Sequence, residues 1–523
     1  MYPGQYAISK PDHPAMIMAG GGERITYAEL DRRSIRLARV LDHHGLAPDA
    51  TVAVVCENRL EWAEMIWAVA RSGRCCAPVN RHLGPAEMVQ LLRAADADAL
   101  LISGVGRQTL REVVGHVPGL RLTLLIEDGA DPGGDLPDGC HDYHASLAAM
   151  PDDPLPRERL GGRMMFSSGT TGTPKGIRHP GSDIHPADAP PHLGGYTELF
   201  GFDGDTVYLS PAPTYHTAPF RFVFAITQLG GTVVSMGRFD PVRTLEAIER
   251  YRVTHAQFVP TMLQRMLRLP EEVRRRFDLS SLKVAITGAA PCPPELKLRI
   301  MDWWGPVLHE LYGASESYGN CHIGPQEMLR RPASVGRALR GTIHITDEDG
   351  RELPPGRPGT VWFEGTAPFE YQGDPAKTRD SGNPRGWRTV GDVGYLDEEG
   401  YLYLTGRRDH LIISGGVNIH PQEAEDVLAV HPKVEDVAVI GVPDEEYGQS
   451  VKAVVVAARD AAAGPELAAE LIAYCRDRLA HYKCPRSVDF TDALPRGDNG
   501  KLYKNRLKER YAAPPAGGGT AAG

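Results

Sequence analysis

No Cys-x-x-Cys pair occurs among the eight cysteines, which are scattered over 523 residues. That spacing argues against a disulfide framework or a zinc site, and a reducing compartment is the expectation. No apolar run is long enough to span a bilayer. Residues 1–5 lack the basic and apolar regions of a signal peptide, so a cytoplasmic location is expected. Basic residues are in deficit: 57 Lys and Arg face 67 Asp and Glu, a net charge of −10. Such a balance argues against a nucleic-acid partner, which needs a basic surface to displace counterions. Internal repeats are absent. What remains, 42% hydrophobic and 24% charged residues, suits a globular enzyme, and the length requires at least two domains.

Thr26 and Glu29 have the spacing of a capping box that opens a helix. Leu30, Ser34, Leu37 and Leu41 follow at helical spacing, with Ser34 the weak member. Residues 52–56 and Cys75–Val79 read as buried strands, and Glu61–Arg71 as a helix between them. Strand expectations at 206–210, 232–236, 255–259 and 283–287 continue the alternation, which predicts a mostly parallel α/β sheet. After Gly336 the texture changes. Thr342–Thr346 and residues 360–364 flank Asp349-Gly350, and two short apolar runs flank residues 397–400, which predicts a small antiparallel region. Beyond Asp409 an α+β unit is expected, with helices near 421–430 and 466–480 and strands near 434–441 and 451–457. The Ala, Gly and Pro of residues 512–523 are expected to be unstructured.

The strand expected at 163–166 runs into Ser167-Ser168-Gly169-Thr170-Thr171-Gly172-Thr173-Pro174-Lys175-Gly176. Three glycines, one proline, five hydroxyls and one lysine leave no acid in this decad. Glycines let backbone N–H groups approach phosphate oxygens, hydroxyls donate further hydrogen bonds, and Lys175 adds a point charge. The standard P-loop has Gly before its Lys and Ser or Thr after it; here Pro174 precedes and Gly176 follows.

This decad resembles the signature of the adenylate-forming superfamily, which includes acyl- and aryl-CoA synthetases and peptide-synthetase adenylation domains. Further motifs resemble that family in order. Tyr312-Gly313-Ala314-Ser315-Glu316 is similar to the segment whose Tyr stacks on adenine and whose Glu helps hold magnesium. Residues 286–291, with Gly288, Ala289 and Ala290, resemble the floor of the adenine and acyl pockets. Asp392 and Arg407 resemble the ribose contacts, Asp409 the hinge, and Ser414-Gly415-Gly416-Val417-Asn418 the loop that lines the thiol channel. Pro495-Arg496-Gly497-Asp498-Asn499-Gly500-Lys501 resembles the motif whose mobile Lys reaches the α-phosphate. Departures are Ser315 for Thr, Val390 for Thr and His410 for an acid.

The resemblance implies a large N-terminal region, residues 1–408, of mostly parallel α/β sheets plus a small antiparallel β subdomain, and a mobile α+β domain at 409–511. It implies ATP, Mg2+ and coenzyme A as co-substrates and cofactors. Lys501, Glu316, Thr170 and His216 are the catalytic candidates, with Glu316 on the metal. Ser167, Ser168, Gly169, Thr170, Thr171, Gly172, Lys175, Gly288, Ala289, Ala290, Tyr312, Gly313, Ser315, Asp392, Arg407 and Asn418 are the nucleotide candidates. Tyr215, His216, Phe222, Phe258, Gly288 and Ile323 would line an acyl pocket, with His216 as its gate. No Asp stands near His216 to pair a substrate ammonium, so an amino acid is disfavoured and a fatty, alicyclic or aromatic acid is expected. The stretch 179–196 is longer than the family linker and is expected to shape the substrate mouth. Arg81, Gly415, Gly416, Tyr482, Lys483 and Arg486 are the coenzyme A candidates. A free-standing carrier protein is the alternative acceptor. The oligomeric state is open between monomer and homodimer.

Overall fold

The computed structural model describes residues 1–105, 107–127, 136–167, 175–365, 371–372, 374–497 and 502–512. The tail expected to be unstructured thus lies, from 513 on, outside the described residues. The chain divides into two compact units.

The first unit comprises residues 1–258, 268–285 and 368–378. One of its sheets has seven strands, in the order Cys140–Asp142, Leu122–Ile126, Ala97–Ser103, Thr51–Val55, Cys75–Val79, Arg163–Ser167 and Lys175–His179. Every pairing is parallel except the last. Strands covered on both faces need apolar side chains throughout, and all five residues of Thr51–Val55 and of Cys75–Val79 are buried. A second group pairs His255–Phe258, Val207–Ser210, Thr232–Ser235 and Pro14–Met18 in parallel, with Arg24–Thr26 antiparallel at the edge. The capping box forms: Thr26 and Glu29 satisfy each other's backbone N–H at the head of the helix Tyr27–His43. Ser34 has a polar reason to interrupt the apolar stripe. Its hydroxyl accepts from buried Arg71 at 2.7 Å, and Arg71 is clamped by Asp31 and Glu158 at 2.8 and 2.9 Å.

The second unit comprises residues 259–267, 286–367 and 379–523. Leu308–Gly313, Asn320–Ile323 and Arg337–Arg340 pair antiparallel. A four-stranded antiparallel sheet follows, Thr342–Thr346, Gly359–Glu364, Asp392–Leu396 and Leu402–Arg407. Gly350 takes φ +78° in the expected turn, a conformation that glycine adopts without strain. The C-terminal part pairs Val434–Asp444 with Gly448–Ala457, and the latter with Ser487–Phe490 in parallel. The helices Pro421–Ala429 and Pro465–Arg476 cover one face of it through Leu428, Leu467 and Leu471. The second helix thus ends four residues before the expected 480, and the third strand was not foreseen. Fully buried Lys297 and Glu310 form an ion pair.

Among the described residues no helix is long and apolar enough to cross a membrane.

Candidate active site

In the first unit, Ser167 and Lys175 face each other at the ends of two antiparallel strands. The glycine- and hydroxyl-rich decad therefore begins and ends on two paired antiparallel strands, a pairing the sequence did not reveal. Residues 168–174 lie outside the described residues, and with them Ser168, Gly169, Thr170, Thr171 and Gly172; Lys501 does too. The carbonyl of Gly176 accepts from the Gln372 amide at 2.9 Å, and a Cβ at Gly176 would sit 2.9 Å from the Met164 sulfur.

The gate segment belongs to the same unit. His216 caps the helix Thr217–Leu229, and its ring lies 4.5 Å from that of Tyr215. Asn58, a residue the sequence did not single out, anchors the loop ahead of them. Its amide nitrogen donates to the carbonyls of Ala212 and Met236 at 2.9 and 2.8 Å. Its Oδ1 accepts from the backbone N–H and the hydroxyl of Thr214 at 2.7 and 2.8 Å. Phe222 is buried and stacks on Tyr208 at 5.3 Å; Phe258 is fully buried.

In the second unit, three nucleotide candidates come together. The phenol of Tyr312 donates to Asp392 at 2.6 Å, and the Arg407 guanidinium reaches the same carboxylate at 3.2 Å. Arg407 also donates to the Val390 carbonyl at 2.6 Å. Tyr318, which the motifs did not flag, hydrogen-bonds the Tyr312 phenol. Burial, and then the neighbouring phenol and carboxylate, hold Tyr312 protonated well above the ordinary tyrosine range. Gly288 lies against this strand, where a Cβ would meet the Leu311 carbonyl at 2.6 Å. Ala289 next to it takes φ +67°, a costly conformation for a residue with a Cβ. Glu316 is buried, beyond a turn in which the Ser317 amide returns to the Ala314 carbonyl at 3.0 Å and Ser317 takes φ +56°. Gly313 ends the strand that carries Tyr312, and Ser315 lies within that turn. Ile323 is fully buried on the adjacent strand.

Of the coenzyme A candidates, Lys483 and Arg486 are engaged within the protein. Both oxygens of Glu423 hold Lys483, at 2.8 and 2.6 Å. Arg486 lies over the Tyr447 ring at 4.1 Å, and Tyr482 is exposed. Gly415 and Gly416 take φ +56° and +78° in the hairpin whose second strand carries Asn418. The Asp409 carbonyl accepts from Lys508 at 2.9 Å. In the first unit, Arg81 faces Glu57 at 3.8 Å.

A family model described as AMP-binding enzyme matches residues 5–370, and one described as AMP-binding enzyme C-terminal domain matches 423–501. This chain belongs to the adenylate-forming superfamily. Within it, the chain falls in the acyl-CoA synthetase branch. It is 31% identical to a long-chain-fatty-acid–CoA ligase, FadD13, of Mycobacterium tuberculosis, over 97% of both chains. It is 34% identical to a feruloyl-CoA synthase of Amycolatopsis sp, over 94% of this chain and 95% of that one. Among solved structures, ATP-bound MatB from Rhodopseudomonas palustris superposes with a TM-score of 0.80 at 28% identity, covering 98% of this chain and 99% of that one. The family carries an α/β fold with a large N-terminal region and a smaller C-terminal one, as the motifs implied.

Proposed function

We propose that this enzyme converts an apolar-bodied carboxylic acid and ATP to an acyl-adenylate and pyrophosphate, then passes the acyl group to coenzyme A with release of AMP. The observation that carries the reading is the convergence of Tyr312 and Arg407 on Asp392, beside the close approach of Gly288 to Leu311. A carboxylate fixed between a phenol and a guanidinium is preorganised to accept the two ribose hydroxyls. Gly288 carries no Cβ where the Leu311 carbonyl lies, so the strand it ends packs closely against the strand that carries Tyr312.

Both reactants are anionic. The substrate carboxylate is ionised at neutral pH and needs no general base. Lys175 and Lys501 are assigned to offset the repulsion and to stabilise charge building on the α-phosphate. Buried Glu316 is a hard oxygen donor suited to magnesium, which supplies further charge neutralisation on the phosphates. His216 is assigned as the gate of the acyl pocket. Residues 409–511 are assigned as the moving domain, with Asp409 as hinge, and Tyr482, Lys483, Arg486, Arg81, Gly415 and Gly416 as contacts of coenzyme A.

The test is a panel of carboxylic acids scored for ATP-dependent pyrophosphate release, with thioester formation followed using purified coenzyme A alone. Pyrophosphate release without thioester would point to a carrier protein as acceptor instead. Lys501→Ala should lower adenylation by ~10²–10³ while ATP still binds. Normal turnover in that variant would remove Lys501 from the mechanism.

A further inference from the structure

Three buried ring groups of the first unit show how its interior treats a polar atom. The Tyr27 phenol donates to the Gly231 carbonyl at 2.7 Å, the Tyr143 phenol to Glu64 at 2.6 Å, and the Trp67 indole to the Thr227 hydroxyl at 2.8 Å. Tyr208, Ser210 and Gln257 are treated differently. They are 0%, 1% and 5% exposed. Among the described residues, the Tyr208 phenol, the Ser210 Oγ and the Gln257 Oε1 have no hydrogen-bond partner. A buried polar atom without a partner is costly, and each one that persists calls for an explanation.

The three share one face of one sheet. Tyr208 and Ser210 alternate along the strand Val207–Ser210, so they point to the same side. The parallel register sets Tyr208 beside His255 and Leu209 beside Ala256, and one step on it carries Ser210 beside Gln257. The helix Thr217–Leu229 covers this face, since Phe222 stacks on Tyr208 at 5.3 Å. Phe202 closes the end toward the strand starts, with its ring 5.9 Å from Phe222 and 4.8 Å from His255. There the polar atoms are spent: the two nitrogens of His255 meet the Phe200 carbonyl at 2.9 Å and the Thr254 hydroxyl at 2.8 Å. At the other end Ser210 leads into the loop that carries Tyr215 and His216. The unpartnered atoms therefore lie on the face that holds Phe222, below the segment assigned as the acyl gate. Burial alone raises the Tyr208 phenol well above the ordinary tyrosine range, and no charged group among the described residues adds to that shift. Such surroundings disfavour an ion and suit a neutral group. Gln257 Oε1 only accepts, whereas the two hydroxyls either donate or accept. A hydroxyl, which does both, is the simplest group that satisfies this set.

We propose that Tyr208, Ser210 and Gln257 set the specificity of the enzyme by binding a hydroxyl group carried on the apolar body of the acid substrate. A site built to hydrogen-bond a substrate hydroxyl discriminates strongly against the analogue that lacks it, because its own buried atoms are then left unpaired. The inference rests on the adenylation reading above, with Phe222 in the acyl pocket, and deepens it: the substrate class becomes a hydroxylated aromatic or aliphatic acid.

The experiment compares ω-hydroxy acids from six to twelve carbons with the unsubstituted acids of equal length, and 4-hydroxycinnamic acid with cinnamic acid, by ATP-dependent pyrophosphate release. In at least one pair, kcat/KM for the hydroxylated acid should exceed that for its parent by about tenfold or more. Gln257→Met and Tyr208→Phe should each reduce that ratio by about tenfold, through KM for the hydroxylated acid and not KM for ATP. Neither variant removes a hydrogen bond within the protein, so the urea midpoint should hold or rise in both. Should one variant fail to fold, the other decides. Equal kcat/KM within every pair, or an unchanged ratio in the variants, would overturn the proposal. An unchanged ratio with a lowered urea midpoint would assign the three atoms to an ordered water instead. Release of pyrophosphate from no acid at all would remove the adenylation reading and this one together, whereas equal turnover of parent and hydroxylated acids removes only this one.

Discussion

Asn58 and Thr214, 156 residues apart in the chain, are joined by two hydrogen bonds to one oxygen. With the two bonds from its nitrogen, the Asn58 amide is fully used. Asn58→Ala would leave buried carbonyls and an N–H without partners, at about 1–3 kcal/mol for each group. The loop ahead of Tyr215 and His216 should then loosen. The expected outcome is a lower urea midpoint and a raised KM for the acid, with KM for ATP unchanged. A variant with native KM for the acid would separate the anchor from the gate.

Tyr312→Phe deletes the hydrogen bond that orients Asp392 and leaves the ring in place. KM for ATP should rise by a factor of ~3–10, the worth of about 1 kcal/mol, with kcat nearly constant. Tyr318→Phe, one bond further away, should have a smaller effect of the same sign. Steady-state kinetics with ATP as the varied substrate measures both.

Lys297 and Glu310 are buried as a pair. Glu310→Gln strands the ammonium, and a loss of about 3–5 kcal/mol is expected from denaturant unfolding. The double replacement Lys297→Met with Glu310→Leu should recover most of that loss, because neither charge is then left in the core. A double variant as unstable as the single one would show that packing, not charge, dominates.

Glu64 predicts a pH response. It is fully buried between Arg33 and the Tyr143 phenol, and burial pushes its carboxyl up to about 7. The folded state therefore keeps a proton that the unfolded state, with an ordinary carboxyl near 4.5, has already released. Stability should fall as pH rises between about 4.5 and 7, by an amount on the order of 3 kcal/mol. In Glu64→Gln that part of the slope should vanish. Urea unfolding of both proteins across this range checks it, and equal slopes would refute the assignment.

Local patterns fixed many elements in advance. Cys75–Val79, Glu61–Arg71 and Thr342–Thr346 stand where apolar periodicity and flanking turns placed them. Ends drifted where pairing decides them. Val434–Asp444 runs eleven residues because its partner strand follows directly and continues the ladder through Asp444 and Gly448. Tyr312, Asp392 and Arg407 were legible because each sits in a motif, although Tyr312 and Asp392 are 80 residues apart. Asn58 and Tyr318 were not. Their roles come from contacts that leave no pattern in neighbouring residues. Ser34 looked like a flaw in an apolar stripe until Arg71 gave it a partner.

All eight cysteines are buried and unpaired, and burial raises every one of their thiols above the ordinary range. Thiolates are the reactive form, so the folded protein should be silent to alkylating reagents. The same eight groups then serve as an internal clock: mass added by a thiol label counts how many segments have opened, and when. A single cysteine introduced on the exposed surface would be a unique handle for a fluorophore, with no native thiol to remove first.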